Sequence, residues 1–319
     1  MKAAGDPCLV GMRGIVPSLN TPFTADDRVD EASVRRLVER SIAGGAVGLL
    51  IVAVAGEQGK LSRAEKERVA RVVVEVTGGR VPVVVSVTSP DTDESEALAA
   101  LARQAKADGI CCQAPAGLSG TALETALARI AAAGPDLLMV QDLDWGGGGL
   151  PIEEIARLFK SLPTFRCLKV ETVPAGPKYS RVIEATEGRL HVSGGWAVMQ
   201  MPDALARGVH AFMPTTLDPV YVAIYNAWRG GRPEAARALF ERLLPIVAFS
   251  NQHIDVSIRF FKTLRHAEGV FTTDRCRVPP PLDEVQNSEA AFMVEHALAL
   301  QRAVMDGTIW EDLAYAQGY

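Results

Sequence analysis

Val47-Gly48-Leu49-Leu50-Ile51-Val52-Ala53 is an unbroken apolar run. A strand with one wet face alternates apolar and polar residues, whereas a strand covered on both faces reads apolar throughout, as in parallel sheets. Before the run stand Gly44 and Gly45, and before these Val34, Leu37, Val38 and Ile42 recur at helical spacing behind an N-cap at Asp30. After it come Val54-Ala55-Gly56-Glu57 and a helix from Ser62 to Val76, opened by the capping box of Ser62 and Glu65. Helix, buried strand and helix in succession predict parallel β-α-β connectivity.

The unit repeats in both directions. Strands are predicted at Gly14 to Leu19, Val81 to Val87, Gly109 to Ala114, Asp136 to Gln141, Phe165 to Val170, Arg189 to Ser193 and Val209 to Met213. Helices are predicted at Asp93 to Ala107, Thr121 to Ala133, Ile152 to Leu162 and about Ala197 to Arg207. Eight strands, mostly about 25 to 35 residues apart and alternating with helices, point to a closed (β/α)8 TIM barrel. An open doubly wound sheet is the alternative, and no G-x-G-x-x-G follows the first strand to support it. Helical patterns then continue at Tyr221 to Arg229, Pro233 to Phe249, Asp255 to Glu268 and Asp283 to Met305. One of these closes the barrel and the rest form a C-terminal helical appendage, dividing the chain into a barrel over 1–230, carrying the active site, and an appendage over 231–319.

The 319 residues are 48% hydrophobic and 22% charged, enough for a large core. A net charge of -5 spread without long blocks of one sign argues against nucleic acid and anionic membrane as partners. The longest apolar region, Ile42 to Ala55, contains glycines and falls short of the roughly 20 residues of a spanning helix. Met1 to Pro7 lacks the apolar run of a signal peptide. Cys8, Cys111, Cys112, Cys167 and Cys276 are odd in number and form no C-x-x-C, so reduced thiols in a cytoplasmic protein are expected. The five histidines show no metal spacing, and neither a metal nor a cofactor is expected.

In a TIM barrel, function gathers at the C-terminal ends of the strands. Of the lysines, only Lys169 falls at such an end, in Cys167-Leu168-Lys169-Val170-Glu171. Residues two apart on a strand share a face, so Lys169 and Glu171 point together with Cys167 below them. An amine shielded from water can attack a ketone and form a Schiff base, beside which Glu171 is placed as general acid and base. The competing structural reading is a plain Lys169–Glu171 ion pair. Glu57 follows Gly56 at a strand end, and either caps a helix or joins the site. Gly194 and Gly195 offer backbone N–H groups to a carboxylate or simply make a turn. Gly146 to Gly149 reads first as a flexible loop.

From Gly14 through the C-terminal helices, the chain resembles the dihydrodipicolinate synthase and N-acetylneuraminate lyase family of Schiff-base barrel enzymes. The resemblance rests on Thr21-Pro22-Phe23, Gly56-Glu57 with Leu61, Ser62 and Glu65, Asp108-Gly109 before Pro115, Lys169, and Ser193-Gly194. It implies that Lys169 is the Schiff-base lysine, that the substrate is a small 2-oxo acid, and that the chain is a homo-oligomer, a tetramer or a dimer. It also marks departures. Val54 and Ala55 stand where the family usually has two threonines, leaving backbone N–H groups to bind a carboxylate. Gln141 replaces the usual tyrosine of the fifth strand, and Ala116-Gly117 the tyrosine that follows the fourth-strand proline. The Lys-x-Glu pattern resembles more closely the 2-keto-3-deoxy-L-arabinonate type of dehydratase, which implies loss of water from a 2-keto-3-deoxy sugar acid. A pyruvate-dependent aldolase and a degenerate barrel that binds a 2-oxo acid without catalysis are the alternatives.

Overall fold

The computed structural model describes residues 11–195, 199–278 and 282–316. Met1 to Pro7, Cys8 and Ala197 lie outside the described residues. Eight parallel strands follow the order of the chain: β1 Gly14–Ile15, β2 Leu49–Ile51, β3 Val83–Ser86, β4 Gly109–Gln113, β5 Leu138–Asp144, β6 Phe165–Thr172, β7 His191–Gly194 and β8 Ala211–Phe212. From β2 onward each pairs with the next, and β8 pairs with β1. The remaining seam, between β1 and β2, is closed by a parallel bridge of Ser18 with Leu50, where Leu19 N–H donates to Leu50 O at 2.8 Å and Leu50 N–H to Pro17 O at 3.0 Å. Pro17 has no N–H to give, which interrupts this ladder and leaves regular β1 shorter than the expected Gly14 to Leu19.

The helices between strands are α1 Glu31–Ala43, α2 Arg63–Thr77, α3 Thr92–Gln104, α4 Gly120–Ala133, α5 Ile152–Ser161, α6 Ala175–Ala185 and α7 Met201–Ala206, followed by α8 Asp218–Arg229. Asp30 accepts Ser33 N–H at 3.0 Å and the Ser62–Glu65 capping box is formed, so both sequence signals mark true starts. Helix α6 has no counterpart in the sequence reading. It opens Ala175-Gly176-Pro177, and proline is tolerated in a first turn whose N–H groups have no intrahelical partner. Helix α7 is shorter than the expected Ala197 to Arg207.

Side chains alternate between two cores. Leu50, Val84, Cys111, Met139, Cys167, Ala211 and Met213 fill the barrel interior, while Val85, Ile110, Cys112, Val140, Leu168 and Val170 pack outward against the helices. Adjacent Cys111 and Cys112 therefore face opposite ways, and burial pushes both thiols up to about 12. His191 closes the interior floor, one ring nitrogen 3.1 Å from Met12 O and the other 3.1 Å from Cys167 Sγ; burial holds it neutral, down at about 3.

Beyond the barrel lie α9 Pro233–Ser250, α10 Ile254–Ala267, α11 Glu284–Met305 and α12 Ile309–Ala316. Charges buried among these helices tie them to the strand ends. Arg265, fully buried, binds Asp218 at 2.9 Å and Glu268 at 2.9 Å. Lys262 pairs with Glu57, both side chains entirely shielded, and Glu57 Oε2 also accepts the N–H groups of Arg277 at 2.7 Å and Val278 at 2.8 Å. Removing one member of a buried pair leaves an uncompensated charge, so Glu57→Ala should cost about 3–5 kcal/mol in chemical denaturation. The double variant Glu57→Gln with Lys262→Met, which removes both charges and keeps an acceptor for the Arg277 and Val278 N–H groups, should recover part of that loss; an equally unstable double variant would show that the pair's charges are not the cause.

Candidate active site

The inward face of β6 carries Lys169 and Glu171 above Cys167, as the period of two requires. Lys169 Nζ lies 3.1 Å from Glu171 Oε2, with the two residues 5% and 7% exposed. Gln141 on β5 stands directly across from Lys169 in register, and its Nε2 donates to the same Glu171 oxygen. One carboxylate oxygen thus holds both an amine and an amide. The other, Oε1, sits beside Gly195.

Gly195 makes room for this group. A Cβ there would lie 2.1 Å from Glu171 Oε1 and 2.7 Å from Lys169 Cε. Of the two glycines expected to offer N–H groups, Gly195 lines the cleft with its N–H 3.5 Å from Val170 O, while Gly194 is paired within the sheet between Val170 and Phe212. Gly195→Ala should displace the Lys169–Glu171 pair and lower turnover by about 10²-fold, the cost of misplacing reacting groups by an ångström. The measurement is kcat alongside a thermal melt, and unchanged kcat would remove the steric role.

After β2, the 3-10 turn Val54–Gly56 lines the cleft with Val54 and Ala55. Its first N–H groups have no intrahelical acceptor. Asn20 and Thr21, at the end of the first strand region, hold this turn from beneath: Asn20 Nδ2 donates to Ala55 O at 2.7 Å and Thr21 Oγ1 to Gly56 O at 2.8 Å. Glu57 is not part of the cleft lining. Its carboxylate points away, into the Lys262 pair, so the assignment to substrate binding is corrected to one of anchoring the turn.

The glycine loop after β5 is also corrected. Asp144 accepts Gly146 N–H at 3.2 Å and Gly149 N–H at 3.0 Å, Asp142 accepts Leu150 N–H at 2.9 Å, and Lys178 of α6 pairs with Asp142 while donating to Gly148 O. Gly149 has φ +65°, and a Cβ there would lie 2.2 Å from Asp142 Oδ1. Pinned at so many points, the loop is a fixed wall carrying Trp145 rather than a flexible one.

The cleft opens to solvent at its mouth, with Lys169 and Glu171 lining it. Its other walls include Ser18, Leu143, Trp145, Thr215 and Tyr221, and, from the C-terminal helices, Val247, Ser250, Asn251, Ile254, Ser257 and Phe261. The helical contribution was not visible in the sequence, because apolar residues at helical spacing read as core packing alone. Among the described residues no group of three His, Cys, Asp or Glu is placed to hold a metal ion, and no helix is long and apolar enough to cross a membrane.

The family model described as the dihydrodipicolinate synthetase family matches residues 11–297. The chain belongs to that family. Among relatives, it is 28% identical over 84% of its length to the L-2-keto-3-deoxyarabonate dehydratase of Azospirillum brasilense, covering 89% of that protein. It is 40% identical to the 4-hydroxy-tetrahydrodipicolinate synthase of Salinibacter ruber, but over only 32% of this chain and 34% of that protein's length. Among solved structures, the dihydrodipicolinate synthase of Rhodopseudomonas palustris superposes with a TM-score of 0.83 at 21% identity, covering 90% of this chain and 98% of the other. A likeness at that identity speaks for the fold, and it agrees with the barrel and its C-terminal helices.

Proposed function

We propose that this member of the dihydrodipicolinate synthetase family is a Schiff-base-forming lyase that removes water from a 2-keto-3-deoxy sugar acid. The observation that carries the proposal is the buried Lys169–Glu171 pair with Gln141, an amide, beside it. The Lys169 amine attacks the C2 carbonyl, and the carbinolamine loses water to give an iminium. Glu171 takes a proton from C3, forming an enamine, and returns it to the hydroxyl leaving C4. The C4–O bond breaks as C3 and C4 become doubly bonded, and hydrolysis of the imine frees the amine. The N–H groups of Val54 and Ala55 bind the substrate carboxylate. An amide in the place of the tyrosine that serves aldol chemistry has no proton to exchange at neutral pH, which favours elimination over carbon–carbon cleavage. The dehydratase relative, aligned over most of both chains, supports the same choice.

The test supplies 2-keto-3-deoxy five- and six-carbon acids and follows the products by mass spectrometry. Loss of 18 Da with the carbon chain intact is the outcome expected for a dehydratase. Release of pyruvate would replace it with the aldolase reading.

A further inference from the structure

Among the described residues lining the cleft, Lys169 and Glu171 alone carry charge, and they are paired with each other. Much of the rest of the lining is apolar: Leu143, Trp145, Val247, Ile254 and Phe261. Asp142 and Asp144, at the end of β5, alternate with Gln141 and Leu143 and turn away from the cleft, and Lys178 is committed to Asp142 and Gly148 O, so none of these charges is offered to a ligand in it. A second carboxylate set against these residues would lose water and find no unpaired cation among the described lining. A neutral carbon chain would instead lie against the apolar wall, with Ser250, Asn251 and Ser257 able to meet a hydroxyl.

We infer that the substrate carries a single carboxylate, the one next to its 2-oxo group, and that its far end is an uncharged chain seated against Trp145. This rests on the Schiff-base reading and narrows it: 2-oxo acids with a second, distal carboxylate are excluded as substrates. Trp145 is a specificity-determining residue, held in place by the Asp142–Lys178 pair under its loop.

Two five-carbon acids of equal length test it: 2-oxopentanoate, ending in a methyl group, and 2-oxoglutarate, ending in a carboxylate. Each is titrated against the full chain with borohydride present, and the fraction of chain carrying the reduced adduct is read by mass. The half-saturating concentration should be at least about 10-fold lower for 2-oxopentanoate, and Trp145→Arg should narrow or reverse that gap. Equal or tighter capture of 2-oxoglutarate by the natural chain overturns the inference. Pyruvate serves as the control: if it also forms no adduct, the Lys169 reading fails, and calorimetric titration with the same two acids still decides the preference without an imine.

Discussion

Lys169→Ala should take up no mass when borohydride is added in the presence of saturating pyruvate, while the natural chain gains one reduced ligand on the peptide containing Lys169. The difference is all or none, because the described cleft lining offers no second amine. Turnover should fall by about three orders of magnitude or more, since an imine is what makes the C3 proton acidic enough to remove. A cavity in place of the buried side chain leaves Glu171 with one partner fewer, so the variant's melt must be recorded with it. An adduct that persists in Lys169→Ala would place the chemistry on another lysine and dissolve the site as described.

Glu171→Gln separates the two halves of the mechanism. The amine remains, so adduct formation with pyruvate should survive, whereas turnover should drop by about 10²–10⁴-fold with the loss of the group that takes and returns the proton. The substitution keeps the shape of the side chain, and Gln141 and Lys169 can still donate to its amide oxygen. Retained turnover with retained adduct would reduce Glu171 to the counter-ion that the plainest sequence reading offers.

The barrel was legible because its strands are covered on both faces: runs such as Val47 to Ala53 have no other place to go, and polar residues at their ends mark the catalytic rim. Lys169 and Glu171 were legible for an equally local reason, a period of two within one strand. What was hidden depends on register or on long-range closure. Gln141 reaches Glu171 only because β5 and β6 pair Gln141 with Lys169. The need for a bare α-carbon at Gly195 depends on side chains of a neighbouring strand, so a glycine pair could be read only as a turn. Glu57 finds its partner 205 residues away, and nothing around Gly56-Glu57 indicates that a lysine in a late helix will claim the carboxylate. Helix α6 was lost to Gly176-Pro177, since the rule that makes them breakers holds inside a helix but not in its first turn.

The tie on Glu57 also bears on the order in which the molecule is made. Protein synthesis runs from the N-terminus, so all eight strands emerge well before Lys262, Arg277 and Val278 exist to meet that carboxylate. Until they do, Glu57 stays hydrated and the turn bearing Val54 and Ala55 is held only by Asn20 and Thr21. Catalytic competence should therefore arrive late, after the barrel itself has closed. A nascent chain tethered to its ribosome short of residue 262 should hold the Lys169 amine in a cleft that lacks both its helical wall and its second anchor.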